Sequence, residues 1–160
     1  MYLTVHAAAG ALAGIAVTNA PAGFALGVLS HFVLDRVPHA DPPVPQGTAS
    51  DGVFRHPAMR RFVAIAAVDL VLASALTGWL TYLLPSANAV ALIAGAFGGI
   101  LPDLLFGCYR ITGNRWLEAF NRFHTANHFD PNKIKVNFTT GMATQIVALA
   151  VCLNILLRYV

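Results

Sequence analysis

His31, Asp35 and His39 recur at intervals of four residues, with Asp41 two further on, and His124 and His128 form a second pair at the same spacing. In a helix this interval places side chains one turn apart on one face. An imidazole and a carboxylate, or two imidazoles, so placed can ligate one metal ion, as the helical HExxH motif does. Pro38 ends the helix ahead of His39, so His39 and Asp41 must fold back from a loop. His6, Asp69 and Asp103 stand within or at the ends of three other apolar runs. An ionisable group at mid-bilayer costs about 2.5–3.5 kcal/mol on the insertion scale, so each needs a partner or a function. Each residue taken singly has an ordinary alternative. His6 could rest at an interface, His39 and Asp41 in a solvated loop, and Asp69 could pair with Arg60 or Arg61. Those alternatives do not explain the coincidence. Histidines mixed with aspartates and free of cysteine form the donor set of a hydrolytic Zn²⁺ or Mn²⁺ centre, with positions left for water.

The elements that carry these residues are those of a membrane protein. Of 160 residues, 57% are apolar and 11% charged, with a mean hydropathy of +0.64, where a soluble domain is about one quarter charged. The net charge of +3 comes from scattered arginines beside apolar segments and not from a dense stripe, which argues against a nucleic-acid partner. Apolar runs at about 2–17, 24–37, 62–84, 87–106 and 141–157 predict an all-α, polytopic membrane helix bundle, one domain over 1–160. The first two runs are short and are joined through Pro21 and Gly23, so they make either a spanning or a re-entrant hairpin. The polar stretch 38–61 holds Pro38, Pro42, Pro43 and Pro45, and 108–137 contains an amphipathic helix suited to the interface, opening at Asn114 as its cap. Cys108 and Cys152 fall at opposite ends of spans, which predicts no disulfide and no Cys-x-x-Cys site. The N-terminal run lacks a basic leader and carries His6, so it reads as a retained helix.

Arginine and lysine set the orientation. With the short turns at 18–23 and 84–88 on one side, the other side holds Arg36, Arg55, Arg60, Arg61, Arg110, Arg115, Arg122, Lys133 and Lys135, leaving only Arg158 across the membrane. The positive-inside rule makes that populated side, and the N-terminus with it, cytoplasmic. The same layout brings all the histidines and aspartates named above to the cytoplasmic side without having used them. Glycine pairs at 10 and 14, 23 and 27, and 95 and 99 suit close helix packing, within one subunit or between copies in a homo-oligomer.

The segments His6-Ala-Ala-Ala-Gly10, Gly27-Val-Leu-Ser-His31-Phe-Val-Leu-Asp35-Arg-Val-Pro-His39-Ala-Asp41, Gly98-Gly-Ile-Leu-Pro-Asp103 and Phe123-His124-x-x-x-His128 resemble small bacterial membrane proteins. They are similar, more distantly, to the YdjM-type membrane-bound metal-dependent hydrolases, and more weakly to zinc-dependent phospholipase C. The resemblance implies a metal centre in the bacterial inner membrane, with His6, His31, Asp35, Asp103, His124 and His128 as ligands. The order of segments departs from the YdjM type, whose Ser-His-x-x-x-Asp helix comes last. Leu104 and Leu105 stand where that family continues with further ligands, for which His39 and Asp41 are the stand-ins. The function expected is hydrolysis at such a centre, with a phosphoester, including a phospholipid, preferred as substrate because Arg36, Arg60 and Arg61 stand near enough in sequence to meet a phosphate. Zn²⁺ is the first choice of metal and Mn²⁺ the second, with Asp41 or Asp69 as general base or as the carboxylate that orients a histidine, and Arg36, Arg60 and Arg61 meeting the phosphate. A metal-ion or proton transporter, and a non-catalytic scaffold pinned by a polar cluster, are the alternatives. A transporter predicts ionisable side chains continuing across the membrane, whereas the far half offers Ser74, Thr77, Thr81, Tyr82, Asn88 and Asn154.

Overall fold

Asparagine caps and prolines set the helix starts in the computed structural model, which describes residues 1–42, 56–84, 89–129 and 135–159. Helix α1 covers Leu3–Ile15, α2 Ala20–Leu34, α3 Pro57–Leu83, α4 Ala89–Thr112, α5 Glu118–Asn127 and α6 Phe138–Leu156, with no strand among the described residues. The Asn19 side chain accepts the Ala22 N–H at 2.9 Å and Pro21 follows in the first turn, so α2 begins before its apolar run. It stops at Leu34, with Asp35 as its C-cap, short of the expected 37. Helix α3 starts at Pro57 rather than 62, and α4 passes through Pro102 to Thr112 rather than ending near 106. Apolar runs mark the stretch that suits hydrocarbon, whereas backbone hydrogen bonding carries a helix onward into polar residues. Asn137 caps α6 in the same way as Asn19 caps α2, accepting from Thr140 N at 2.7 Å. The expectations on Pro43, Pro45, Arg55, Lys133 and the turn at 85–88 lie outside the described residues.

Contacts along the bundle fix the helix directions. Gly10 and Gly14 of α1 press on Gly95 and Ala91 of α4, so these two helices are antiparallel, while Gly23 and Gly27 of α2 meet Ala91 and Gly95 in parallel order. Ala7 packs with Ala73 and Ile15 with Leu80 and Leu156, which aligns α3 and α6 with α1. The starts of α1, α3 and α6 and the ends of α2 and α4 therefore share one end of the bundle. Arg36, Arg60, Arg61, Arg110, Arg115, Arg122 and Lys135 lie at that end and Arg158 at the other.

Helix α1 is the centre, with ten of its 13 residues buried and α2, α3, α4 and α6 around it. That accounts for a sequence that is apolar on every face. Helices α3, α4 and α6 are long and apolar enough to cross a membrane. At about 1.5 Å per residue, α1 and α2 reach only about 20 and 22 Å against a hydrocarbon core of about 30 Å. Val68, Val71 and Leu72 of α3 and Ile146, Val147 and Val151 of α6 are exposed, which gives the bundle an apolar outer surface. Helix α5 lies against the end of α4 and exposes Phe123, and the 3₁₀ turn before it, which Asn114 caps, exposes Trp116.

Candidate metal centre

The last turn of α2 points His31 and Asp35 inward, and the chain then turns at Pro38 to return His39 and Asp41 to the same place. Helix α1 adds His6, α4 adds Asp103 one turn beyond Gly99, and α5 adds His124 and His128. Four ligand atoms converge: His31 Nε2 lies 3.1 Å from Asp35 Oδ2 and 3.2 Å from His124 Nε2, which is 3.3 Å from Asp103 Oδ1. The separations His124–Asp35 and His31–Asp103 are 3.7 and 4.0 Å. Donors at about 2.0–2.1 Å from a tetrahedral zinc ion are about 3.3–3.4 Å apart. His31, Asp35, Asp103 and His124 thus have the dimensions of a metal-binding set.

Asp35 is shared with a second group. His39 Nε2 and His128 Nε2 are 3.3 Å apart, and they lie 4.0 Å from Asp35 Oδ1 and 3.7 Å from Asp35 Oδ2 respectively. Asp41 Oδ2 is 2.9 Å from His39 and 3.1 Å from His128. His6 stands behind both groups, 3.1 Å from Asp35 Oδ1 and 3.7 Å from Asp103 Oδ2, with its ring stacked on His31 at a centroid distance of 4.0 Å. The Met1 nitrogen reaches Asp35 Oδ1 at 2.9 Å.

Backbone carbonyls select the histidine tautomers. His31 Nδ1 donates to Gly99 O at 2.9 Å, His39 Nδ1 to Val37 O at 2.6 Å and His128 Nδ1 to Phe129 O at 3.0 Å. A carbonyl only accepts, so in the neutral ring the Nε2 lone pair is free and faces the cluster, the arrangement found in metal-ligating histidines. Burial grades across the site. His6, His31, Asp35 and His124 are at most 3% exposed, whereas Asp103, His128 and Asp41 reach 18%, 23% and 30%. In the loop, burial alone would raise the Asp41 carboxyl, but hydrogen bonds from His128 and His39 when these rings are protonated, together with the charge at the Met1 nitrogen, outweigh it and hold the group below the usual carboxylate range. Burial would likewise lower His128, but the Asp41 hydrogen bond and the Asp35 charge raise it.

Asp69 does not join this cluster. Its carboxylate accepts from Leu3 N, from Thr4 N at 3.1 Å and from the Thr4 hydroxyl, which corrects the expectation of a general base or of a carboxylate set on a ligating histidine. The physical reason is the start of α1, whose N-cap Tyr2 offers no side-chain acceptor, so the free N–H groups draw a carboxylate from α3. Asp69→Asn should lower stability by roughly 1 kcal/mol, the usual scale of a lost helix cap, and leave bound metal unchanged. Thermal unfolding and metal analysis of the variant check both parts. Arg60 and Arg61 are exposed in the first turn of α3, and Arg36 donates to Asn127 at 2.9 Å, which ties the end of α2 to α5.

Gln145 was absent from the expected site, yet it holds part of it in place. It is 2% exposed, accepts from Tyr2 N at 2.8 Å and donates to Ala40 O at 2.6 Å, between His39 and Asp41. Thr144 donates to Pro38 O at 2.7 Å, and the bare Cα of Gly141 admits the His39–Ala40 backbone. An amide within an apolar run was the sequence signal for it. Gln145→Leu leaves Tyr2 N and Ala40 O unpaired, so a loss of roughly 1–3 kcal/mol is expected, with metal affinity reduced about 10–100-fold as the His39 loop shifts. Thermal unfolding and metal titration of that variant measure the two effects.

Comparison of the chain with family models, with curated proteins and with solved structures finds no match. The structure itself supplies a buried cluster of histidine and aspartate that could hold a metal ion, at one end of a helical bundle with three helices of membrane-spanning character.

Proposed function

We propose that this protein is a membrane-embedded, metal-dependent hydrolase whose centre faces the cytoplasm and acts on a phosphoester, including that of a phospholipid. The observation that carries the reading is Asp35 Oδ2, a buried carboxylate oxygen without a hydrogen-bond partner. Three imidazole nitrogens, those of His31, His124 and His128, stand within 3.7 Å of it. The other oxygen, Oδ1, is met by the Met1 nitrogen at 2.9 Å and by His6 at 3.1 Å; an unpaired buried carboxylate oxygen is costly, and a divalent cation is the partner that such a donor set fits. A bound Zn²⁺ or Mn²⁺ supplies Lewis acidity toward a phosphoryl oxygen and brings water toward ionisation at neutral pH.

The chain's own residues supply the rest. The gradient of exposure through Asp103, His128 and Asp41 gives substrate one face of the cluster. Asp41 Oδ2 on that face is placed to take a proton from water. The water oxygen bonds to phosphorus as the bond to the alcohol oxygen breaks; Asp41 takes one proton from the water and returns it to the departing oxygen, leaving the phosphate and the free alcohol. Trp116, in the turn that leads into α5, and Phe123, next to His124 in the chain, are exposed, suit the headgroup region of a bilayer and favour a lipid phosphoester. The cationic end of the bundle supports the cytoplasmic side of an inner membrane, and the likeness to YdjM-type hydrolases points the same way. Ser74, Thr77 and Thr81 in the far half each donate to a carbonyl of their own helix α3, at 2.8 Å, which favours hydrolysis over a transmembrane relay. Hydrolysis of phosphomonoester, phosphodiester and phospholipid substrates by detergent-purified protein tests the reading. Activity should vanish with chelator, return with Zn²⁺ or Mn²⁺, and fall about 10²–10⁴-fold in Asp41→Asn. Metal-loaded protein that hydrolyses none of these substrates contradicts it.

A further inference from the structure

The geometry points to a binuclear centre in which Asp35 is the carboxylate common to two ions, one closed by protein ligands and one left open for substrate. The inference rests on the proposed metal-dependent function and specifies its site. Two groups of ligand atoms satisfy the dimensions of a metal set, His31 with Asp35, Asp103 and His124, and Asp35 with His39 and His128. Asp35 alone belongs to both. Its Oδ2 is reached from the first group by His31 at 3.1 Å and from the second by His128 at 3.7 Å, and its Oδ1 by His39 at 4.0 Å. The histidine pairs also come from separate parts of the chain: His31 and His124 close one group at 3.2 Å, and His39 and His128 the other at 3.3 Å.

The groups differ in the way that structural and catalytic sites differ. The first has four protein donors, of which only Asp103 is appreciably exposed. Four donors saturate a tetrahedral ion. The second has three protein donors and lies where His128 and Asp41 are exposed, which leaves a position for water or a phosphoryl oxygen once the Met1 nitrogen, 3.0 Å from His39 Nε2 and 2.9 Å from Asp35 Oδ1, gives way. Asp41 Oδ2 lies beside both of its imidazoles, at 2.9 and 3.1 Å, where a proton acceptor for that water is required. Paired divalent ions about 3.5–4 Å apart stabilise both the attacking and the leaving oxygen of an in-line displacement at phosphorus. That chemistry selects phosphoesters among hydrolysable substrates.

Metal-stripped protein titrated with Mn²⁺ and with Zn²⁺ separates the outcomes. Wild type is expected to hold two equivalents, and its Mn²⁺ form to give an exchange-coupled electron paramagnetic resonance spectrum. His39→Ala and His128→Ala should each hold one equivalent and lose the coupling, with helix content checked by circular dichroism. One equivalent and an uncoupled signal in wild type overturn the binuclear centre and leave a mononuclear hydrolase standing. Two coupled equivalents that persist in both folded variants overturn the ligand assignment. Absence of any metal overturns the proposed function as well. The wild-type measurement decides the number of ions even where a variant fails to fold.

Discussion

Asp35→Asn is expected to strip the protein of bound metal while the bundle remains folded. Asp35 is 1% exposed and faces His6, His31, His124, His128 and His39 within 4.0 Å, so it supplies the central negative charge against which the imidazoles present their lone pairs. The amide keeps the volume but removes the charge and turns one of two acceptor oxygens into a donor. Outer-shell changes alone reduce metal affinity about 10–100-fold, and loss of a ligand common to both groups should exceed that range. The fold should survive because its main apolar cluster, built on Ala11, Ile15, Leu80, Leu92, Ala96 and Leu156, lies toward the opposite end of the helices. Metal analysis together with circular dichroism of the purified variant checks both halves of the expectation.

Gly95→Val should have the largest effect on the fold itself. Gly95 is the point at which α4 receives α1 and α2 together. A Cβ there would run into Gly10 O and stand 2.8 Å from Gly14 Cα, while Gly27 rests on the Gly95 carbonyl from the other side. The atoms that the Cβ meets are backbone of α1, so relief requires α1 to move away from α4 and not merely a side chain to turn. Overpacking of a well-filled site costs roughly 1–3 kcal/mol and sometimes more, and contact with backbone belongs at the upper end. Because α1 carries His6 and α2 carries His31 and Asp35, metal binding should weaken with it. Gly78→Val is the matched control, since no atom lies within 4 Å of a Cβ at that position, and it should unfold like wild type. Thermal unfolding of the two variants in one detergent makes the comparison.

The helical bundle was legible in the sequence because apolar runs and the asymmetry of Arg36, Arg60, Arg61 and Arg110 report a membrane directly. So was the convergence of His6, His31, Asp35, His39, Asp41, Asp103, His124 and His128, since helix direction alone sends them to one end. Depth along an axis, however, says nothing of rotation about it. Asp69 lies at the same end as the cluster but on a face of α3 that meets the first turn of α1, and for that reason it caps a helix instead of joining the site. Gln145 escaped notice because its role depends on the return of the Pro38–Asp41 segment against α6, a long-range contact that no local pattern encodes. Helix ends were displaced at Ala20, Pro57 and Thr112 because polar and proline residues continue a helix that hydropathy alone would end.

Metal content of unstripped, folded protein, measured by inductively coupled plasma mass spectrometry for wild type, His31→Ala and His124→Ala, tests the account most directly. His31 on α2 and His124 on α5 are 93 residues apart in sequence and meet only through the folded cluster. Stoichiometric zinc or manganese in wild type that falls in both variants is the expected result. Wild-type protein without bound metal, or metal that persists undiminished in both variants, would contradict a metal centre built on these residues.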